Sequence, residues 1–435
     1  MSRMEIIADL HIHSRFSRGC SSQITVDNLE KWGRIKGVDL LGTGDFSHPE
    51  WLKELKEKLV EDGTGILKTR NGYLFVLQNE ISLIYSQTGK VRKVHLVLLA
   101  PDFKTVDAIN NALLKIGRLD YDGRPIFGMS CPEFVRLLKG ISDKIEIIPA
   151  HVWTPWFGLF GSKSGFDSVE ECFGDQSRHI YALETGLSSD PPMNWRLSSL
   201  DRFQLVSNSD SHSFWPWRLA REANIFELDE LSYDALLRAI RTGEGLKLTI
   251  EVDPSYGKYH FDGHRNCGVR LEPKKSLELH KICPVCRQPL TIGVLNRVEE
   301  LADREEGFKP KEAHDFLTLL PLAEIISRVL GVGINSKGMW AAYNKLIKAF
   351  GSEYKVLLYA PENELGKLVS KEMVDAIIAN RLGKIEVEPG YDGVYGEPKL
   401  GKKKEQAEGS VGELGGPVKE DKKPRGGQRG LEEFI

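Results

Sequence analysis

Seven times within the first 212 residues, an apolar run with the character of a β-strand ends on a side chain able to bind a metal ion. No other feature restricts the fold as much. The runs cover 6–8, 38–41, 74–77, 94, 145–148, 180–183 and 203–206. They lead in turn to Asp9, His11 and His13; to Asp45 and His48; to Glu80; to His95; to His151; to Glu184; and to Asp210 and His212. Stretches of helical spacing over 27–36, 49–61, 105–116 and 132–139 lie between most of them, so the order is strand, ligand, helix, strand. That order predicts an α/β fold of parallel strands joined by crossover helices, a distorted (β/α)7 barrel whose strand ends gather on one face. Ligands far apart in sequence then meet in space. A lone His after a strand is commonly a solvated side chain, but x-spaced pairs plus five more candidates at successive strand ends favour a metal cluster.

Length and composition set the surroundings of that site. At 435 residues the chain is long enough for a large core and at least one accessory unit, and two or three domains are expected. Hydrophobic residues make up 41% and charged residues 28%, and no apolar run approaches the roughly 18 residues of a bilayer span. A soluble protein without membrane partners follows. No basic, apolar leader precedes the first strand, and six cysteines do not make a disulfide framework, so a reducing cytoplasm is the expected compartment. With a net charge of −3, any grip on nucleic acid must come from local basic patches.

Along the chain, the strand and helix alternation covers 1–252. Residues 253–293 are rich in His, Cys, Gly and Pro, and 294–398 read as mostly helical, over 294–305, 316–330, 339–350 and 371–381. From 399 to 429 there are nine Lys or Arg against five Asp or Glu, with many glycines and few apolar side chains. Such a stretch cannot bury enough apolar surface to fold alone, so 399–427 is expected to be a disordered basic linker.

The ligand set has imidazole and carboxylate but no thiolate, which suits Zn, Mn, Fe or Mg. Clustered divalent ions activate water and neutralise charge on attacking and leaving oxygens, the two needs of phosphoester hydrolysis. The motifs Asp9-Leu10-His11-Ile12-His13-Ser14 and Ser209-Asp210-Ser211-His212, with Glu80, His95 and His151, resemble those of the polymerase and histidinol phosphatase superfamily over about 1–250. The resemblance implies phosphate-ester hydrolysis with two or three divalent ions. By that likeness His11, His13, Glu80 and Asp210 hold one ion, and Glu80 bridges to a second on His95 and His151. His212 with Asp45 and His48 serves a third, and Glu80, Asp210 and His212 are the expected catalytic groups. Two departures fall in this region. The usual adjacent Asp-His is here Asp45-Phe46-Ser47-His48, and Ser17-Arg18-Gly19-Cys20 stands where another acid or His is common. Glu184 lies outside the family's set, as a structural acid or a further ligand.

A second metal site is written in cysteines. His264-x2-Cys267 and Cys283-Pro-Val-Cys286 are separated by fifteen residues, the spacing of a closed structural zinc site, with His260 and His280 near enough to compete for the fourth position. Lys274, Lys275, Lys281, Arg265, Arg270 and Arg287 make this module basic, which suits nucleic acid better than a small metabolite. The chain ends Gln428-Arg-Gly-Leu431-Glu-Glu-Phe434-Ile435, similar to a sliding-clamp interaction box: one helical turn puts Leu431, Phe434 and Ile435 on one apolar face. Two aromatic loops follow metal ligands, one with Trp153, Trp156, Phe157 and Lys163, the other with Trp215. The rings are core filling or a platform for a base drawn from the stack.

Taken together, head, zinc knuckle, helical region and terminal box resemble the endonuclease Q family, archaeal repair nucleases of this superfamily. The resemblance implies nicking of damaged DNA on the 5′ side of uracil, hypoxanthine, xanthine or an abasic site. The rival readings are a phosphomonoesterase or exonuclease, and a clamp-tethered DNA-binding module without catalysis.

Overall fold

The computed structural model describes residues 3–400. The expected linker falls almost wholly outside them, and the terminal box with Gln428, Leu431, Phe434 and Ile435 lies outside entirely. The first strand, Met4–Asp9, is the keel of the barrel. On one side it pairs in parallel with Leu40–Gly42, which pairs in parallel with Leu74–Gln87; on the other it pairs antiparallel with Ala223–Leu228. Leu74–Gln87 also runs antiparallel to Lys90–Ala100, which pairs antiparallel with Glu146–Pro149. Ala182–Glu184 and Gln204–Val206 are parallel to each other. Two short links close the ring: Val152 N donates to Glu184 O at 3.0 Å, and the Asn224 amide holds both the N–H and the carbonyl of Ser207.

The period of two explains the packing. Ile6, Ala8, Leu40, Val76, Val97, Leu99, Ile148, Ala182, Val206 and Phe226 fill one core, while their strand neighbours Ile7, Leu41, Phe75, Leu77, Leu96, Leu98 and Ile147 pack in the other with the surrounding helices. Side chains of this size contribute about 1.5–3 kcal/mol each when fully buried, so both faces of the strands are apolar. The helix Val26–Lys36 begins where Thr25 accepts from Asn28 N and ends at Gly37, whose φ of 88° and close approach to Ser352 leave no room for a Cβ.

The expected helix over 316–330 divides in two. Asp315–Thr318 is a strand added in parallel to Leu246–Glu251, and the helix proper is Leu322–Leu330. Pro321 accounts for the break: lacking an N–H and crowding the preceding turn, it starts a helix readily but does not sit inside one. The second half of the chain is thus stitched into the barrel sheet. Helices Lys337–Phe350 and Lys371–Arg381 complete it, close to the expected bounds. Among the described residues, no helix is long and apolar enough to cross a membrane.

Under the strand ends lies a dry acidic pair. Glu251 accepts from the hydroxyls of Thr185, Ser207 and Thr249 at 2.9, 3.0 and 2.5 Å, yet burial still pushes its carboxyl up to about 7. Burial and Glu251 together push Glu222 well above its ordinary value. A raised carboxyl pKa means the folded state binds the proton more tightly. For Glu251 the stabilisation is complete below 4.5 and is lost as pH rises through about 7. Denaturant unfolding should therefore show stability falling from about pH 5 to about pH 8, with a shallower fall in Glu251→Gln.

Candidate metal centre

Glu80 divides the site in two. It sits within the long strand Leu74–Gln87, wholly buried, and its two oxygens face different histidine groups. Oε2 lies 3.1 Å from His13 Nε2 and 3.7 Å from His11 Nε2; Asp210 Oδ1 is 3.0 and 3.7 Å from the same nitrogens. Oε1 lies 2.7 Å from His95 Nδ1 and 3.2 Å from His151 Nε2, and those two nitrogens are 3.2 Å apart. The donor atoms of His11, His13, Glu80 and Asp210 all fall within 4.8 Å of one another, as do those of Glu80, His95 and His151. These are the two groups expected from the sequence, with Glu80 common to both. His11 Nε2 is buried with no hydrogen-bond partner, aimed at two carboxylates too far for a good hydrogen bond. Convergent lone pairs in a dry cage, including one orphaned nitrogen, fit divalent cations.

The rings are aimed by groups behind them. Both oxygens of Glu184 lie 3.0 Å from His11 Nδ1, and the same carboxylate accepts from His151 N and Asn208 Nδ2. Asp45 Oδ1 lies 3.0 Å from His13 Nδ1. His151 Nδ1 meets Thr154 Oγ1 at 2.9 Å. An Nδ1–H donated to each of these oxygens leaves Nε2 deprotonated and pointed inward, the arrangement that metal-bound histidines use. Glu184 is therefore an orienting acid. Asp45, His151 and Asp210 all have positive φ, at 40°, 34° and 46°, so strained backbone clusters where the side chains must converge.

Charge follows the same geometry. Burial alone would raise Glu80, but His95, Arg124 and His11 hold its carboxyl well below the usual range. Arg124 Nη1 is 3.0 Å from Glu80 Oε2. Burial pushes His95 down to about 4, leaving it neutral, as a ligand must be. His11 goes the other way: burial lowers it, and the Glu184 and Glu80 carboxylates outweigh burial.

The third group does not assemble among the described residues. Asp45 is saturated, taking His13 Nδ1 on one oxygen and Ser14 N and Ser17 Oγ at 2.6 and 2.9 Å on the other, so it supports His13. His48 stacks on Phe16 with ring centres 4.1 Å apart. His212 is at the rim, its ring 4.5 Å from His13 and its Nδ1 2.9 Å from the Asp210 carbonyl.

The aromatic residues also sort themselves. Trp153 is 1% exposed and donates to Asn194 Oδ1 at 2.8 Å, which makes it core and removes it as a base platform. Trp215 lies 5.5 Å from Trp217 with planes 2° apart and packs edge-on against Trp32, in a box with Trp340, so its partly buried ring braces two halves of the chain. Phe157 lies against His95 at 4.2 Å. Trp156 is 43% exposed, faces Tyr259, and with His151, Asp210, Lys258 and Tyr395 lines a cavity of about 390 Å³ beside the metal groups. Lys163 is exposed on the same loop. Sequence reading missed Tyr259, Tyr395 and Arg124. All three lie on irregular segments with no periodicity to mark them.

At the second site His264, Cys267, Cys283 and Cys286 come together, His264 Nδ1 being 3.3 Å from Cys286 Sγ. Burial pushes the Cys283 thiol up, but the N–H groups of Cys286 and Val285 at the knuckle bring it down to about 6, ready for a cation. His260 belongs elsewhere: it is buried in the wall of the 390 Å³ cavity. Of the six cations, Arg270, Lys275 and Lys281 form surface pairs with Glu388, Glu278 and Glu300, weak contacts that phosphate can replace. Two outcomes follow. Glu184→Ala should weaken divalent-ion binding by about 10–100-fold in calorimetric titration while the chain stays folded. Cys283→Ala should cost the knuckle its zinc, measured by metal analysis, and expose 262–291 to proteolysis without emptying the barrel site.

The region 321–384 matches a family described as the MJ0043 C-terminal domain. The uncharacterized protein MJ0043 of Methanocaldococcus jannaschii is 33% identical over 294 residues, which cover 66% of this chain and 35% of that protein. This chain thus spans about a third of that relative's length. The uncharacterized protein YqxK of Bacillus subtilis is 31% identical over 415 residues, covering 91% of this chain and 99% of that one. Among solved structures, the lesion-specific endonuclease PfuEndoQ from Pyrococcus furiosus superposes with a TM-score of 0.83 at 32% identity, over 91% of this chain and 96% of that one. An endonuclease Q in complex with a 27-mer duplex carrying an abasic lesion at the active site gives 0.81 and 33%, over 91% and 97%. Likeness of this extent, along nearly the whole of both chains, shows that the chain belongs to the endonuclease Q family.

Proposed function

We propose that this protein is a metal-dependent DNA endonuclease that nicks the phosphodiester bond on the 5′ side of a deaminated base or an abasic site. The observation that carries the reading is the shared carboxylate of Glu80, set between two histidine groups whose members His151 and Asp210 line an aromatic cavity. Divalent ions held by those groups supply an activated water and offset charge on the attacking and leaving oxygens. Arg124, with its guanidinium against Glu80 and its side chain partly exposed, is placed to meet a phosphate oxygen. His212, half-exposed at the rim beside Asp210, is the side chain positioned to exchange a proton with the departing 3′ oxygen. Burial lowers His212 below its ordinary value, so its protonated form gives up its proton readily to that oxygen.

The cavity beside the metal groups receives the lesion nucleotide. At about 390 Å³ it falls within the roughly 300–1,000 Å³ typical of small-ligand sites. Trp156 and Tyr259 meet at 71° on its wall, one ring half-exposed, so a base drawn from the helix finds an apolar face instead of its neighbours in the stack. Lys258, over the rings of Tyr259 and Tyr395, and the basic zinc module carry the flanking backbone. The terminal Gln428–Ile435 peptide tethers the enzyme to a sliding clamp, with the basic linker giving reach.

A gel assay on duplexes with and without one deoxyuridine, run with chelator and then with Mn²⁺ or Mg²⁺ restored, should give one nick 5′ to the lesion only when metal is present. Release of inorganic phosphate or mononucleotides instead would favour the phosphomonoesterase or exonuclease reading. Asp210→Ala should abolish nicking with an unchanged circular dichroism spectrum. Trp156→Ala should lose about 1–3 kcal/mol of lesion-duplex affinity, the value of one stacked base. Removing 428–435 should erase clamp pull-down and leave intrinsic nicking intact.

A further inference from the structure

The loop from Ser209 to Ala220 carries Asp210 and His212, and it is held from both ends and from the middle. At its base, Asp9 accepts from Ser209 N and Ser209 Oγ at 3.0 and 2.5 Å and from Ala220 N at 3.0 Å. Asp210 and Ala220 both have positive φ, at 46° and 45°, so neither end of the loop would keep its conformation without outside support. That support comes from the second half of the chain and from Lys36 at the end of the helix Val26–Lys36. The Tyr354 hydroxyl donates to Ala220 O at 2.6 Å. Lys36 Nζ donates to Pro216 O and to Glu353 Oε1, both at 2.7 Å. Glu353 in turn takes Leu322 N at 3.0 Å and the Tyr343 hydroxyl at 2.7 Å. Lys36 and Glu353 side chains are 1% and 0% exposed. The flanking Trp215 and Trp217 pack on Trp340 at 5.9 and 5.8 Å.

A buried ion pair adds little net stability over apolar filling, yet removing one partner is costly, because it strands the other charge. Its gain is directional: one ammonium reads a loop carbonyl and a carboxylate at once, which fixes the distance between them. We propose that Lys36, Glu353 and Tyr354 are positioning residues, a buried latch by which the 321–384 helical region sets the 209–220 loop and holds Asp210 and His212 in register with Glu80. The helical region then has a task inside the barrel site, whatever else it touches. The inference rests on the reading of Asp210 as a metal-binding group.

The test compares the full chain with Tyr354→Phe, Glu353→Gln and a control, Ser327→Ala, which removes a hydroxyl donating to Val332 O in the same helical region but away from the loop. Three readouts are taken: amide exchange of 209–220, Mn²⁺ affinity by calorimetry, and kcat against KM on the deoxyuridine duplex. The latch predicts faster exchange of 209–220, Mn²⁺ binding weaker by about tenfold, and lower kcat with KM for DNA within about twofold in Tyr354→Phe, with larger changes in the same direction in Glu353→Gln. Ser327→Ala lowers the melting temperature but leaves all three readouts at the parent values. If Glu353→Gln fails to fold, Tyr354→Phe, a one-hydroxyl change, decides alone. Exchange and Mn²⁺ affinity equal to the parent in Tyr354→Phe, or shifted as much by Ser327→Ala, would overturn the latch. A parent chain that binds no Mn²⁺ would instead remove the metal reading, and exchange of 209–220 would still decide whether the latch sets the loop.

Discussion

A single carboxylate, Glu80, is asked to remain ionised in the dry interior of the barrel, and the surrounding structure is arranged to permit it. Taking a lone carboxylate out of water costs several kcal/mol even after relaxation. Four imidazoles and the Arg124 guanidinium gather around it at distances from 2.7 to 3.7 Å, His11 and His13 from one strand end and the others each from a separate strand or loop. Without cations between them, the nitrogens of His95 and His151 face each other at 3.2 Å and His11 Nε2 is left without a hydrogen-bond partner. The cage is therefore complete only when positive charge fills it, which ties folding of the site to its chemistry.

Holding so many donors in register requires a rigid periphery. Glu184, Asp45 and Thr154 fix His11, His13 and His151 from behind, and Asp9 ties down the loop with Asp210. The barrel alone does not finish the task. The strand Asp315–Thr318 enters its sheet, and Lys36, Glu353 and the tryptophan box fasten the loop after His212 to the helices beyond. Head and helical region are thus fastened together, and Lys258, Tyr259 and Tyr395 wall the cavity beside the metal groups.

The sequence carried the ligand groups because their physics is local. A strand ends, the chain emerges on the common face, and a His, Asp or Glu placed there has few other destinations. His11, His13, His151 and Asp210 were legible for that reason; Glu80 and His95 lie inside the strands Leu74–Gln87 and Lys90–Ala100 and stood out only as polar groups interrupting apolar runs, and His264, Cys267, Cys283 and Cys286 were legible by their spacing. What the sequence does not encode locally is which way a loop side chain turns. Trp153 and Trp215 follow metal ligands as closely as Trp156 does, but they turn inward to Asn194 and Trp217. Asp45 looks like a ligand because it follows a strand as His11 and His151 do; its oxygens are spent on Ser14, Ser17 and His13, a fact of tertiary packing. Likewise 316–330 has helical spacing throughout, and only pairing with Leu246–Glu251 and the stop at Pro321 turn its start into a strand.

Anomalous diffraction from Mn²⁺-soaked crystals reads out whether two cations share Glu80. The account predicts two peaks, one among His11, His13, Glu80 and Asp210 and one among Glu80, His95 and His151, with one oxygen of Glu80 on each. A saturated crystal with a single peak against Glu80, or with none, would contradict it.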